Sequence, residues 1–438
     1  MKPYPAYKPS GVPWIGDVPC HWSTQKVKHL TKHTTGWTPP TGDRAGYEGS
    51  NLWATISDLG DRHITDTRNR ISDDAIKDSG MVPSPLGSLL FSFKLSVGQV
   101  SVASVPLYTN EAIATFSPSN DFVIGWAAYA FPAFIPENSA TNIYGARLLN
   151  QQRINDASLV VPPLDEQEAI ARYLDTETLR IEHLIREKED LIGLLDEARQ
   201  SFVSSVLSGD LLPGTPSGNE WAPRLPEGWK IKRLKHLAQV RSGIAKGKDM
   251  DGKQTIELPY MRVANVQDGH LDLDEVSTIE VEASAVERFS LQPGDVLMNE
   301  GGDYDKLGRG ALWSGEVSPC LHQNHVFAVR PVEEDLSEWI AAITQTKYAK
   351  FYFMNNAKQS TNLASISQTN VKELPVLLPP KKVREELLAK ARSEAKAIAE
   401  LVAHTWDEIA LLKELRAASI ADAVLGRVDV RTLGASLV

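Results

Sequence analysis

Cysteine is almost missing from this chain: Cys20 and Cys320 are the only two in 438 residues. Two thiols make neither a disulfide framework nor a metal knuckle, and they suit a reducing cytoplasm. Long apolar runs are missing too, so no membrane span is expected. Met1 to Trp14 holds prolines and lysines but no apolar core of a secretion signal. Catalytic signatures are also absent. Gly243-Ile-Ala-Lys-Gly-Lys248-Asp249 lacks the spacing and the hydroxyl of a phosphate-binding loop. No Asn/Asp-Pro-Pro-aromatic tetrapeptide of the amino-methylating type occurs. His322 and His325 stand three apart with no third ligand nearby, so neither a metal nor a cofactor is expected. These absences disfavour a self-contained nuclease or methyltransferase.

Basic surplus is missing overall, the formal net charge being −10, and this argues mildly against nucleic-acid binding. The distribution weakens that argument. Asp165 to Leu207 holds eleven acidic and five basic residues, a net of −6. Arg224 to Lys253 holds nine basic and three acidic, a net of +6, and Met1 to Ser72 nine and six, a net of +3. The bland alternative is ordinary variation of a solvated surface.

What is present is helical periodicity. From Asp165 to Gly209, after Pro162-Pro163, apolar residues fall at Ile170, Leu174, Ile181, Leu184, Leu191, Leu195, Ala198, Phe202 and Val206. These steps of three, four and seven predict one stripe on a helix roughly 65 Å long. After Pro379-Pro380 a second run carries Leu387, Ala391, Ala395, Ile398, Val402, Thr405, Ile409, Leu412, Leu415 and Val424. Each stripe needs a partner, and the two are of similar length. An antiparallel coiled coil is expected, with Lys188 and Thr405 interrupting its seam.

The chain also repeats itself. Pro19, Trp22, Lys28, His29, Leu30, Gly36 and Gly87 recur as Pro226, Trp229, Lys235, His236, Leu237, Gly243 and Gly294, all at an offset of 207. Pro162-Pro163 recurs as Pro379-Pro380 at 217. One duplication of half the chain follows. The expected fold class is α+β: two mixed α/β domains and two long helices with an internal pseudo-twofold. The expected boundaries are 1–164, the helix 165–209, a Pro/Gly/Ser-rich linker 210–223, 224–380, the helix 381–426, and a tail 427–438. Expected strands include NLWATISDL, SLLFSFKLSVGQVSVA and NDFVIGWAAYAF in the first half, and LPYMRVANV, DVLMN, GRGALW and HVFAVRP in the second. Ser337 to Asn355 reads as helical. Trp53 is expected in the core.

Three stretches suit nucleic acid. Met298 to Gly310 sets Gly301, Gly302, Gly308 and Gly310 around Lys306 and Arg309. Glycines admit close backbone approach, and cations reach phosphates or guanine. Gln323 and Asn324 are side chains that read adenine edges. Lys358 and Gln359 stand in a polar loop, Asn355 to Asn362, suited to phosphate contact. The plain alternatives are a tight turn, a polar strand end and a solvated loop. Arg44, Lys94, Lys246, Lys248 and Arg262 are further candidate DNA contacts.

In the order and spacing of its motifs the chain resembles the specificity subunit of Type I restriction–modification enzymes. The motifs are the opening YPAYKPSGVPWIGDVPCHW, LWATISDL, LPEGWKIKRLKHLAQVRSG, LPYMRVANVQDGHLDLDEV, NEGGDYDKLGRGALW, HQNHVFAVRP, KQSTNLASISQTNVKELPVLLPP, and PPLDEQEAIARYLD leading into the first helix. The second helix follows PPKKVREEL instead, so its docking surface is expected to differ. The resemblance implies two target-recognition domains, each reading half of an interrupted double-stranded DNA site. It implies helices that dock two methyltransferase subunits, with Glu166, Gln167, Arg172 and Asp175 as candidate contacts, and nuclease-translocase subunits recruited through them. It implies a non-catalytic cytoplasmic protein. The alternative is a structural coiled-coil DNA-binding adaptor without restriction partners.

Overall fold

The computed structural model describes residues 2–40, 42, 44–141, 147–246, 254–302, 304–359 and 364–432. The chain divides into two compact units: Met1–Glu187 with Asp407–Val438, and Lys188–Trp406. No helix among the described residues is long and apolar enough to cross a membrane.

The duplication is visible strand by strand. In the first unit, Leu89–Ser92 lies between Ile113–Phe116 and Val100–Ala103, with Thr34–Thr35 outside the former. In the second, Val296–Asn299 lies between Val326–Pro331 and Gly310–Leu312, with Ala238–Ser242 outside the former. Every residue of Leu89–Ser92 and of Val296–Asn299 is buried, which is why both read as apolar runs without alternation. A smaller sheet repeats as well. Asn51–Ala54 has Tyr108–Thr109 parallel on one side and Asn69–Ile71 antiparallel on the other. Thr255–Met261 has Leu321–His322 and Ser277–Glu282 in the same senses. The repeated glycine belongs to this junction: a Cβ on Gly36 would fall 1.7 Å from the Thr109 carbonyl oxygen, and one on Gly243 2.0 Å from that of His322.

Two sequence expectations change. The Asn120–Phe131 stretch contains no strand; Ile124–Phe134 is a helix whose Trp126, Ala127, Ala130, Phe131 and Phe134 are all buried. A segment apolar on every side has no period to read. The 210–223 stretch is more than a linker. Gly214–Asn219 pairs with Ala222–Pro226 as a hairpin, and Tyr7–Pro9 pairs with Asp17–Pro19 at the same place in the first half. Trp53 is buried as read, its indole N–H bonded to the Trp37 carbonyl.

The long helices are Leu164–Ser208 and Lys381–Val424. Within the first unit, Ile170, Ala171 and Leu174 join a core with Ala423 and Val424, and Arg416 lies 2.9 Å from Glu182. Within the second, Val206 and Leu207 join a core with Leu388 and Ala391, and Lys390 lies over the Phe202 ring. Rising numbers on one helix meet falling numbers on the other in both units, so each helix pair is antiparallel. The expected stripe holds at Ile170, Leu174, Ile181 and Val206, but Leu191 and Ala198 are exposed and Ile192 is buried in their region. Thr405 is buried, its hydroxyl bonded to the Leu401 carbonyl of its own helix.

Both helices end alike. Gly209 and Gly426 have φ of 74° and 69°, and the next N–H reaches back to Ser205 and to Asp422. Each glycine rests on the repeated Pro-x-x-Trp. A Cβ on Gly426 would lie 2.6 Å from Pro19 and 2.8 Å from Trp22; one on Gly209 would lie 2.7 Å from Pro226 and 3.0 Å from Trp229.

The units differ inside. In the second, the fully buried Asp295 carboxylate accepts two bonds of 2.7 Å from Arg330 and one of 3.3 Å from Arg241. His322, also fully buried, has Nδ1 2.7 Å from the Val326 carbonyl, so Nδ1 carries the hydrogen and Nε2 is left bare and unpaired. In the first unit Ser88 stands where Asp295 does, 207 residues earlier, and Thr109 supplies the carbonyl that His322 supplies.

This packing generates three stability predictions. Gly426→Ala places a methyl against Pro19 and Trp22 at a left-handed position, and should lower unfolding free energy by about 2 kcal/mol or more. Gly193→Ala, in an open helical position with nothing within 4 Å of its added Cβ, should raise it by roughly 1 kcal/mol. Urea unfolding followed by tryptophan fluorescence reads both, and equal effects would disprove the closure argument. Burial pushes the His322 imidazole down to about 4. The unfolded chain therefore takes up this proton first, so the stability tied to a neutral His322 is present above pH 6.5 and is lost as pH falls toward 4. The loss should reach roughly 3 kcal/mol, and His322→Gln should flatten that part of the pH–stability curve of the second unit.

Candidate nucleic-acid interface

The three stretches singled out in the second half converge on Glu300. Its N–H bonds the His325 carbonyl at 2.9 Å, and its own carbonyl accepts the Ile366 N–H at 2.8 Å. Its carboxylate lies 2.7 Å from the His325 ring. Next to it Gly301–Gly302 pairs with Ala364–Ser365, which pairs with Lys358–Gln359. The sequence offered Glu300 and His325 only as neighbours of more conspicuous residues, and their pairing needed the strands to be placed.

Around this centre the candidate side chains sit differently. Lys358 and Gln359 are exposed. Arg309 is half-buried and donates to the Gln267 side-chain carbonyl at 3.3 Å; Lys306 is half-buried at the end of the turn Tyr304–Lys306. Gln323 accepts the Val263 N–H through its side chain at 3.4 Å, and the Asn324 amide lies 3.2 Å from the His325 ring. Arg262 reaches Glu275 at 3.5 Å. Lys246 is exposed, while Lys248 lies outside the described residues. Of the four glycines, Gly308 and Gly310 serve packing: a Cβ there would strike the Phe353 ring or the Thr344 side chain. Gly301 and Gly302 are half-exposed in their strand.

In the first unit, Lys94 is exposed in the turn after Leu89–Ser92, with Nζ 3.9 Å from Glu111. A short ribbon, Ala140–Thr141 with Arg147–Leu148, occupies the place of the pair Lys358–Gln359 with Ala364–Ser365. Arg44 is exposed before a turn at Ala45–Tyr47.

Part of the basic surplus is neutralised within each unit, at equivalent positions. Lys26 and Lys28 flank Asp156 at 3.5 and 2.8 Å; Arg233 and Lys235 flank Glu373 at 2.7 and 2.6 Å. The bond from Lys28 holds the Asp156 carboxyl below its ordinary range, and that from Lys235 does the same to Glu373.

Two of the four candidate partner contacts, Glu166 and Gln167, require a correction. Glu166 does not face outward: its side chain is 4% exposed and accepts from Tyr4, Trp22 and Arg431 at 3.0, 2.9 and 3.3 Å, with His21 at 2.7 Å. Gln167 is buried, accepting the Val123 N–H and donating to the Pro162 carbonyl. Asp175 holds Arg62 and the Tyr129 hydroxyl, each at 2.7 Å. An acidic residue opening a helix reads as surface, but the chain's own donors surround Glu166, while Asp175 keeps 45% of its side chain exposed. Arg172 alone of the four is largely exposed.

Comparison with known proteins agrees with this architecture. A family model described as the Type I restriction modification DNA specificity domain matches residues 21–191 and again 226–401. The specificity subunit of the type I restriction enzyme MjaIX of Methanocaldococcus jannaschii is 20% identical over 440 residues, 96% of either chain. That of EcoKI from Escherichia coli K12 is 25% identical over 274 residues, covering 59% of this chain and 57% of the other. A chain solved in work on complex assembly and conformational transition of the type I R-M system matches with a TM-score of 0.64 and 15% identity, over 94% of this chain and 99% of that one. The HsdS subunit from Thermoanaerobacter tengcongensis matches at 0.51 and 15%, over 94% and 98%. At that identity the solved structures speak for the fold alone. With one copy of the domain on each half of the duplication, the chain belongs to the Type I restriction–modification DNA specificity family.

Proposed function

We propose that this DNA specificity subunit reads a bipartite, interrupted double-stranded site, each unit contacting one half. The observation that carries the reading is the twofold occurrence of the specificity domain, each copy with its own core and its own cluster of exposed polar and cationic loops. The subunit itself is non-catalytic. It acts in the cytoplasm, holding two methyltransferase subunits through its long helices, and nuclease-translocase subunits through those. Leu179, Leu194, Leu401 and Leu411, each more than half exposed on these helices, leave apolar surface for such partners. In the second unit Lys306, Arg309, Lys358 and Gln359 approach the duplex, with Lys246 and Lys248 on phosphates; in the first, Arg44 and Lys94 do so.

Methylome sequencing of a host with and without the chain tests the central claim: a bipartite motif should lose methylation when the chain is removed. Lys306→Ala with Arg309→Ala should weaken binding to the half-site of the second unit. An Arg309 contact to guanine is worth ~1–3 kcal/mol and fixes one base position. Unchanged affinity and an unchanged methylation pattern would remove this loop from the interface. The helices should act as the ruler between half-sites. Seven residues inserted after Leu191, with seven in the facing stretch of the second helix, preserve the stripe and add roughly 10 Å, about three base pairs. An active variant should methylate the same half-sites across a longer gap; an unchanged gap would disprove the ruler.

A further inference from the structure

Leu95 is an anomaly in the first unit. It is the one non-glycine residue with positive φ, 58°, among the described residues, and it is 91% exposed. Leucine suits neither condition: its Cβ crowds the backbone there, and its side chain gains nothing from water.

The turn that imposes this conformation is firmly made. Ser92, buried beneath it, bonds the Ser96 carbonyl through its hydroxyl and accepts the Gln99 N–H at 3.0 Å. The Gly98 N–H reaches the Ser92 carbonyl at 2.9 Å, and the Val97 N–H reaches that of Leu95 at 2.8 Å. Gly98 lies against Pro136, where a Cβ would come within 3.3 Å of the ring. Phe93 anchors the other side, buried, with its N–H on the Ala112 carbonyl at 3.0 Å. In the repeat, Leu95 falls 207 residues before Gly302, whose φ is 145°. There the second unit has a glycine, in a different positive-φ conformation that glycine alone adopts freely. In the first, a rigid tip presents a strained leucine to solvent. Lys94 stands beside it. Arg147, 3.0 Å from Glu137, and the half-exposed Leu148 lie on the same Pro136–Glu137 corner.

We infer that Leu95 is an apolar wedge that the first unit inserts between stacked bases of its half-site, with Lys94 on an adjoining phosphate. Strain at a firmly held, exposed position is the mark of a functional contact. A single branched side chain on a narrow tip has the dimensions of an opened base step, and wedges of this type unstack and kink a duplex. A protein partner needs a contiguous apolar patch, whereas Leu95 and Leu148 are two points beside cations. The inference rests on the DNA-reading role proposed above.

The test uses the assembled methyltransferase complex and duplexes carrying 2-aminopurine at successive positions of the half-site read by the first unit. The wild-type complex should raise fluorescence at one step and bend the duplex, as read by end-to-end energy transfer. Leu95→Gly, which keeps the turn, should abolish both signals and weaken binding roughly tenfold, with an unchanged or higher melting temperature. Leu95→Met should restore the fluorescence. Specific binding by the wild type without any fluorescence change would overturn the wedge and leave the DNA-reading role standing. Absence of specific binding by the wild type would overturn both. Weakened assembly of Leu95→Gly with methyltransferase subunits, with the fluorescence intact, would assign the tip to a protein contact and also overturn the wedge.

Discussion

Everything in this fold depends on where each long helix stops. Gly209 and Gly426 turn the chain with positive φ, and each sits against the Pro-x-x-Trp of the globular part that its helix end must join. For Gly209 that partner is the next segment of chain; for Gly426 it is Pro19 and Trp22, four hundred residues earlier. The second helix therefore completes the first unit. Without the carboxylate of Glu166 the same closure would leave Trp22, Tyr4 and Arg431 without their shared acceptor. A buried carboxylate with several donors is stable only as a set, because removing one side leaves a desolvated group unpaired.

Duplication and divergence then divide the work. Strand order, parallel junctions, glycines under carbonyls and the paired cations on Asp156 and Glu373 are kept in both units. These are backbone and framework constraints with few alternatives. The turn that follows the central strand is not kept: Lys94-Leu95 in one unit is replaced by Gly301-Gly302 in the other. Besides interior exchanges such as Ser88 for Asp295, the units differ in this exposed turn, and exposed turns on a shared framework are where two domains of one scaffold gain different contacts.

How much was legible depended on the period of the signal. The long helices were readable because a stripe recurring over forty residues has no competing explanation. The smaller elements with alternating or short apolar runs were readable in place but not in pairing. Ile124–Phe134 was misread because it is apolar on every side, with none of its residues exposed, and so carries no polar face. Glu166 and Gln167 were misread as surface because polar residues opening a helix normally are; nothing local reveals that Trp22, Tyr4 and Arg431 arrive around one of them.

The sequence by itself determined the twofold plan, the helix lengths and the absence of the known catalytic signatures, since each is written in spacing along one chain. Tertiary structure alone decided that Gly426 closes on Trp22 and that three loop stretches meet at Glu300. It alone decided that Gly308 and Gly310 serve packing, and that Leu95 is held in a conformation leucine avoids. These are contacts between residues far apart in number. Local propensity carries no record of them, because the free energy that selects them comes from the burial and hydrogen bonding of groups that meet only when the chain is folded.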